Sequence, residues 1–471
     1  MIRLPRVDYP LSDIFEWGDG TRDYLVANHI LKFQEFPLTG PYNLLFDSGI
    51  LSSPIYFYLL AMLLIPLNHI LTLSIINIFL QIAVIYLIYL IGKKLFNPSV
   101  GLISAVFYSL SSQILKLSDF IWQPNLMQIF ALSSLYLLLN ADRNKRFNLL
   151  SSLILISLAF MIHYSAFPWV VICLIIAYLK TKNLKLLMVV PLVLVILYTP
   201  VISFYIGSNY LEKLNYHNFL NIFTINNFFS NLTSNLTELM MAYNVNVMLG
   251  VVILVIGSLL LYGQKRLDRA TFLVLVLTLI PIIVASFFNK IRLHYLILSV
   301  SLLPILVAKL MDAAGYLKIP LILIIILIFS SNFSDLFNIE PAFKNRKLVS
   351  EVTDTIVDEL YQIKEKDRFG DFSFFQILSY GLESQTFTYP ILDTILLSPL
   401  EARLDTKLAR VSDKSAYNHI QINRKDYLIV ACYKFSSSGD CINLFQDQFN
   451  QYKLVKNIYN SNRVNVYLTK R

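Results

Sequence analysis

Apolar runs close to twenty residues long recur along this chain, and no other feature limits its fold as tightly. Two of them are "SIINIFLQIAVIYLIYLIG" (74–92) and "TFLVLVLTLIPIIVASFF" (271–288). A helix needs about 20 apolar residues to cross the hydrocarbon core of a bilayer, and inside that core each backbone polar group must be satisfied within the protein. Only 15% of the residues are charged, against about 25% in soluble domains, so most of the surface is built for lipid. Ten spans are expected, at about 72–92, 99–117, 124–140, 147–163, 166–179, 185–206, 246–262, 271–288, 294–311 and 319–333. The run 53–66, at 14 residues, suits an interfacial or re-entrant helix better than a span.

The formal charge of +9 would suggest nucleic acid in a soluble protein. Here the basic residues collect in alternate short connections: Lys93 and Lys94; Arg143, Lys145 and Arg146; Lys180, Lys182 and Lys185; Lys265, Arg266 and Arg269; then Lys318. The connections between them hold only Lys116, Lys213, Lys290 and Arg292. The first set is therefore expected in the cytoplasm, nucleic acid is excluded as a partner, and bilayer lipid takes its place. Residues 1–71, the loop 207–245 and the tail after 334 then face the exoplasm. An even number of spans leaves both ends outside. That predicts either a further apolar helix upstream of Met1, lost by truncation, or export of a short N-terminal tail.

Three regions follow: 1–71, a first exoplasmic loop with juxtamembrane helices; 72–333, an all-α polytopic membrane domain; and 334–471, a small exoplasmic α/β domain. In the last, 345–366 has helical spacing, while 426–435 and 464–470 are rich in β-branched and aromatic residues and read as strands. Of the cysteines, Cys173 lies in an apolar run, and Cys432 and Cys441 are able to pair if their region is exoplasmic. The sequence has no C-x-x-C pair, no His-x-x-x-His and no phosphate-cradling Walker loop.

The segment "EWGDGTRDYLVANHIL" (16–31) stands ahead of these runs with a concentration of charge. A helix is expected from Asp19-Gly20-Thr21 to about Phe33. Asp19 and Asp23, four apart, fall at the start of that helix, where its dipole favours carboxylates. Two readings stand. The pair activates an acceptor hydroxyl or holds a divalent cation, or Asp19 is a helix cap and Asp23 a first-turn acid.

The order of motifs adds to this. "WGDGTRDYLVANHILKFQEFPLTGP", "SPIYFYLL", "GKKLFNPSVGLISAVFYSLS" and "FIWQPNLMQIF" together resemble bacterial membrane glycosyltransferases of the family 39 type. These relate to protein O-mannosyltransferases and the lipid A aminoarabinose transferase. The resemblance is densest over residues 15–140, weaker through "NKIRLHYLILSVSLLPIL" (289–306), and extends to the tail, which looks like the small exoplasmic domain of some members. It implies the GT-C fold and transfer of a hexose or pentose from a polyprenyl-phosphate donor to a lipid, glycan or protein acceptor, at the outer face of the plasma (inner) membrane. The family carries an acidic residue, often Asp-Glu, in the first exoplasmic loop. Asp19 fits that position, Gly20 replaces the usual glutamate, and Asp23 is then the source of any second charge. The family also has a helix ahead of this loop, which agrees with the truncation reading.

No nucleotide cofactor is expected, because the phosphate leaving group is already activated. A divalent metal on Asp19 and Asp23 stays open. The leaving phosphate needs basic or metal partners. Lys290, Arg292 and His294 emerge on the same face, with Arg22 as a further candidate; the competing role for the cluster is interfacial snorkelling. Asp119, beside "WQPN", is a second metal or substrate ligand or a solvated turn acid. His163, next to Tyr164, is a substrate contact or an interface anchor. Tyr56, Phe57 and Tyr58 pack at the interface or line a lipid-chain groove. A transporter or flippase of lipid-linked sugars is the alternative, but it would bury charges mid-span, and these spans are nearly free of charge. A membrane-anchored binding protein would not require the acidic first loop.

Overall fold

The structure, a computed structural model, describes residues 18–41, 50–68, 70–111, 114, 121–141, 145–208, 227–243, 268–288, 293–313, 351, 354–359, 372–379, 386–387, 409–411, 427–434, 453–460 and 464–470. The chain divides into two compact units, one of residues 1–7 and 36–338 and the other of residues 8–35 and 339–471. The expected spans 246–262 and 319–333 lie outside the described residues.

The first unit is helical. Its elements are α2 (Ile55–Leu64), α3 (Ile70–Leu95), α4 (Pro98–Ser109), α5 (Gln123–Leu139), α6 (Lys145–Ile162), α7 (Phe167–Thr181), α8 (Val189–Gly207), α9 (Phe228–Met241), α10 (Arg269–Ala285) and α11 (Ile297–Ala313). Among the described residues four helices are long and apolar enough to cross a membrane: Thr72–Leu95, Lys145–Ile162, Tyr164–Thr181 and Leu184–Gly207. The chain is therefore a multi-pass membrane protein. The short run expected at 53–66 is α2, 10 residues long. Of the run expected at 99–117, the 12-residue α4 takes residues 99–109.

α3 shows how lipid inverts the usual pattern. Ser74, Asn77, Gln81, Val84, Ile88 and Ile91 are buried, a three–four alternation that keeps one stripe against a neighbour, while Ile75, Phe79, Ile82 and Tyr86 face outward. The outward face is the apolar one, as a lipid-facing surface requires. The buried stripe is polar in its first half and apolar in its second.

α3 and α4 form a tight hairpin. Asn97 caps α4 by accepting from the Val100 N–H at 2.9 Å, Pro98 opens the helix, and Asn97 Nδ2 donates to Asp312 of α11 at 2.9 Å. Gly92 and Gly101 let the two backbones meet: a Cβ on Gly92 would lie 2.9 Å from Gly101 Cα, and one on Gly101 would lie 2.5 Å from the Tyr89 carbonyl oxygen. Gly-to-Ala inside a helix ordinarily stabilises by about 0.5–1 kcal/mol. At Gly101 the sign should reverse, because the obstacle is backbone. Gly101→Ala is expected to lower the melting temperature of the purified protein, by the ~1–3 kcal/mol typical of overpacking. An unchanged or raised midpoint in a thermal-shift assay would refute the close packing.

The hairpin defines one end of the bundle. Lys93 and Lys94 sit there, and Lys309 Nζ lies 4.8 Å from the centre of the Phe96 ring. α3, α5, α7 and α11 run toward this basic end, and α4, α6, α8 and α10 run away from it.

The second unit holds α1 (Gly18–Phe33), a helical turn at 354–359 and a six-stranded mixed sheet. Its strands are β1 (Phe372–Ser379), β2 (Thr386–Phe387), β3 (Ala409–Val411), β4 (Tyr427–Lys434), β5 (Lys453–Asn460) and β6 (Val464–Lys470). β1 and β4 pair in parallel, Phe372 opposite Tyr427, and β4 and β6 pair antiparallel, Tyr427 opposite Lys470. β2 and β3 share the other edge of β1, and β5 closes the far edge through a bulged ladder on β6. Lys456 of β5 pairs with Glu359 at 2.7 Å. The strands expected at 426–435 and 464–470 are β4 and β6, and the register makes them direct neighbours.

Candidate functional site

The end of the bundle opposite the basic hairpin is where the described polar side chains converge. Its first feature is an extended segment, Ile50–Ser53, leading into α2. The Leu51 carbonyl accepts from Tyr198 at 2.7 Å and from Tyr164 at 3.0 Å, and the Leu51 N–H donates to the Tyr205 hydroxyl at 3.0 Å. Ser53 Oγ donates to the Leu197 carbonyl at 2.8 Å. Tyr198 lies nine residues before the end of α8, about 13 Å down its axis at 1.5 Å per residue. Leu51 is buried, and the three tyrosine hydroxyls satisfy both of its backbone polar groups.

A second strand of chain is tied to the first. The Gly40 N–H donates to the Ser52 carbonyl at 2.7 Å, Ser52 Oγ donates to the Pro41 carbonyl, and Tyr58 donates to the Pro37 carbonyl at 2.5 Å. Gly40 is required here, since a Cβ would lie 2.2 Å from the Ser53 carbonyl oxygen.

The clamp gives a sharp expectation. Tyr164→Phe or Tyr198→Phe alone leaves the Leu51 carbonyl with one donor, at a cost of about 1 kcal/mol each. The double variant removes both donors and leaves a buried carbonyl oxygen. Its loss of thermal stability should exceed the sum of the singles by about 1 kcal/mol or more in a double-mutant cycle. Strict additivity would show that the carbonyl reaches water.

Beside the clamp lies His163, in the turn between α6 and α7. Its Nδ1 accepts from the Ser165 N–H at 3.3 Å and lies 2.8 Å from Ser165 Oγ, which in turn donates to Met127 Sδ at 3.3 Å. Burial pushes the imidazole pKa down to about 4, so it is neutral near pH 7. Because Nδ1 is an acceptor, the proton sits on Nε2. The His163 ring packs on Tyr295, with centroids 5.2 Å apart. Tyr295 belongs to the 3₁₀ turn Leu293–Leu296, which also carries His294. The fold thus brings His163 to the turn whose backbone includes residue 294.

α9, the described part of the loop 207–245, joins the same end. Asn231 Nδ2 reaches the carbonyls of Ser286 and Phe288 at 3.2 and 3.0 Å, and Asn235 Nδ2 donates to Ser286 Oγ at 3.0 Å, so these two amides cap the end of α10. Tyr243 donates to the Val300 carbonyl at 2.6 Å and packs on Phe107.

The acidic candidates lie on α1, in the other unit. α1 begins at Gly18, so Asp19 stands in its first turn and Asp23 in its second. Asp23 is fully buried, as are Tyr24, Ala27 and Asn28. Burial pushes the Tyr24 hydroxyl up to about 12. Gln34 ends the helix at a left-handed φ of 57°, and the Glu35 N–H closes on the His29 carbonyl at 3.4 Å. The side chains of Asp19, Arg22 and His294, and all of Asp119, Lys290 and Arg292, lie outside the described residues. Among the described residues no cluster of three or more His, Cys, Asp or Glu side chains is placed to hold a metal ion. Sequence reasoning missed the tyrosines at 198 and 205 and the glutamine at 128; aromatic and amide residues inside apolar runs were the available signal.

Comparison with known proteins bears on this arrangement. A family model described as dolichyl-phosphate-mannose-protein mannosyltransferase matches residues 52–204, from the Leu51 clamp to the end of α8. No curated protein sequence matches the chain. ArnT from Cupriavidus metallidurans, solved bound to undecaprenyl phosphate, superposes with a TM-score of 0.62 at 10% identity, over 98% of this chain and 96% of that one. The same protein in the apo state gives 0.60 at 10% identity, over 98% and 95%. Across nearly its whole length the chain has the GT-C type of fold, a polytopic helical membrane domain followed by a small mixed sheet.

Proposed function

We propose that this protein is an integral membrane glycosyltransferase that moves a sugar, a hexose or a pentose, from a polyprenyl-phosphate donor to a lipid, glycan or protein acceptor. The observation that carries this reading is the match of the whole chain, acidic helix and tail included, to a fold solved with undecaprenyl phosphate bound. The family match over residues 52–204 agrees with it. In this reading Asp19 acts as general base toward the acceptor hydroxyl, with Asp23 as the second carboxylate, and the pair would hold any divalent cation the reaction uses. Arg22, Lys290, Arg292 and His294 stabilise the leaving phosphate, and neutral His163 donates to it from Nε2. Asp119 serves as a further substrate ligand near the start of α5.

In this reading the site faces the exoplasm of the plasma membrane, and the lysines gathered at the other end of the bundle support that orientation. On a cysteine-free background, a membrane-impermeant thiol reagent applied to intact cells should label a cysteine at position 437 and spare one at 145. The reverse pattern would invert the orientation.

The direct test uses the full chain in proteoliposomes with undecaprenyl phosphate carrying radiolabelled mannose, glucose, galactose or arabinose. Release of label from the lipid, faster than in protein-free vesicles, is expected for at least one sugar. Movement of intact lipid-linked sugar between leaflets, with no release, would instead make the protein a flippase.

A further inference from the structure

A buried amide lies in the bundle beneath this end. Gln128, on α5, is fully buried. Its Nε2 donates to the Tyr108 hydroxyl at 2.7 Å and to Ser301 Oγ at 2.6 Å. Ser301 Oγ donates its own proton to the Ile297 carbonyl at 2.6 Å, so it can only accept from Gln128. That fixes which end of the amide is nitrogen, a choice that coordinates alone leave open. Gln128 Oε1 is left buried, without a hydrogen-bond partner among the described residues.

Gln81 of α3, which packs along α5, is 1% exposed, and neither its Nε2 nor its Oε1 has a partner among the described residues. Asn77, Asn125 and Ser74 are buried on the same two helices. All belong to the half of the bundle away from the basic hairpin: α3 and α5 start at that end, Tyr108 is one residue from the end of α4, and Ser301 is near the start of α11. The other half of the α3 stripe is Val84, Ile88 and Ile91. Amides used only as helix-to-helix glue would have each other as partners. A buried amide without one costs about 1–3 kcal/mol, so a native fold calls for a ligand or an ordered water there.

We propose that this half of the bundle holds a binding site for a hydroxyl-rich group, the sugar carried by the lipid-linked donor, with Gln128 Oε1 as a fixed acceptor and Gln81 as a second amide contact. The inference rests on the donor reading above and extends it to the residues that recognise the sugar. An amide carbonyl locked as an acceptor selects a partner that brings an O–H. A sugar ring carries hydroxyls on several carbons, and the two glutamines, on helices packed together, leave one and two buried polar atoms unsatisfied respectively. An ordered water offers the same chemistry at Gln128, and the experiment separates the two.

Binding of undecaprenyl phosphate, bare or carrying mannose, glucose, galactose or arabinose, is measured to the full chain in nanodiscs through tryptophan fluorescence, with Trp122 at the start of α5 as the near reporter. Wild type should bind at least one sugar-bearing lipid about tenfold more tightly than the bare lipid. Gln128→Leu should abolish that preference and keep the affinity for bare lipid, which also reports that the variant is folded. Should Gln128→Leu fail to fold, Ser301→Ala frees the amide to turn and should lower the preference severalfold. A preference untouched in the variants assigns a water to Gln128 and overturns the proposal, as does a wild type that prefers no sugar. Loss of binding to the bare lipid in wild type would instead remove the donor reading itself.

Discussion

Asp19→Asn should lower the rate of sugar transfer at least about 100-fold while the protein stays folded in the membrane. A hydroxyl is a poor nucleophile near neutral pH, and a positioned carboxylate base typically contributes factors of 10²–10⁴. Asp19 stands in the first turn of α1, where the helix dipole favours the ionised form. Asn keeps the shape and removes the charge. Asp23 provides the contrast. It is fully buried in the second turn, as are Tyr24, Ala27 and Asn28 on the same helix, so Asp23→Asn alters a packed interior as well as a charge. Asp23→Asn should therefore lower both the melting temperature and the rate, whereas Asp19→Asn should lower the rate alone. Turnover at the wild-type rate by purified Asp19→Asn would move the base elsewhere.

The parts of this molecule legible in its sequence are those governed by local rules. Apolar run length gave α3, α6, α7 and α8 to within a few residues, since a bilayer accepts few alternatives to a helix. β-Branched and aromatic content gave β4 and β6. β1, "FSFFQILS", escaped, although Gly370-Asp371 and Gly381 flank it and β2, β3 and β4 all join it; its apolar residues at 372, 374, 375, 377 and 378 break the two-residue alternation of a half-buried strand. The Leu51 segment was legible only through the run after it, a helix too short to span. What holds it, hydroxyls 113, 147 and 154 residues away, is a tertiary fact that no window of sequence contains. The motif "GKKLFNPSVG" begins one of the four segments that together carried the family resemblance, and the structure gives it a physical meaning: a cap, a proline start and two glycines that let α3 and α4 touch. Its weight is in the fold, and the chemistry has to come from elsewhere.

In the proposed reading Arg292 grips the donor phosphate, and Arg292→Ala should then reduce kcat/KM for the lipid-linked donor by about 100-fold. The phosphate of a polyprenyl donor rests at the depth where spans end, so its ligands must come from a span end or a nearby loop. Arg292 immediately precedes the turn Leu293–Leu296, and that turn is fixed by Tyr295 packing on His163. A guanidinium can grip two phosphate oxygens with its planar fork, and each charge-assisted bond is worth about 1.5–3 kcal/mol. Lysine keeps the charge and loses the fork, so Arg292→Lys should recover part of the activity and remain about tenfold below wild type. A snorkelling anchor predicts a different pair of results: Arg292→Lys harmless, and Arg292→Ala changed in expression alone. Donor titrations on both variants, normalised to folded protein, separate the two. Unchanged KM and kcat in Arg292→Ala would take the phosphate away from this turn, and Arg22, three residues from Asp19 on α1, would be the next arginine to test.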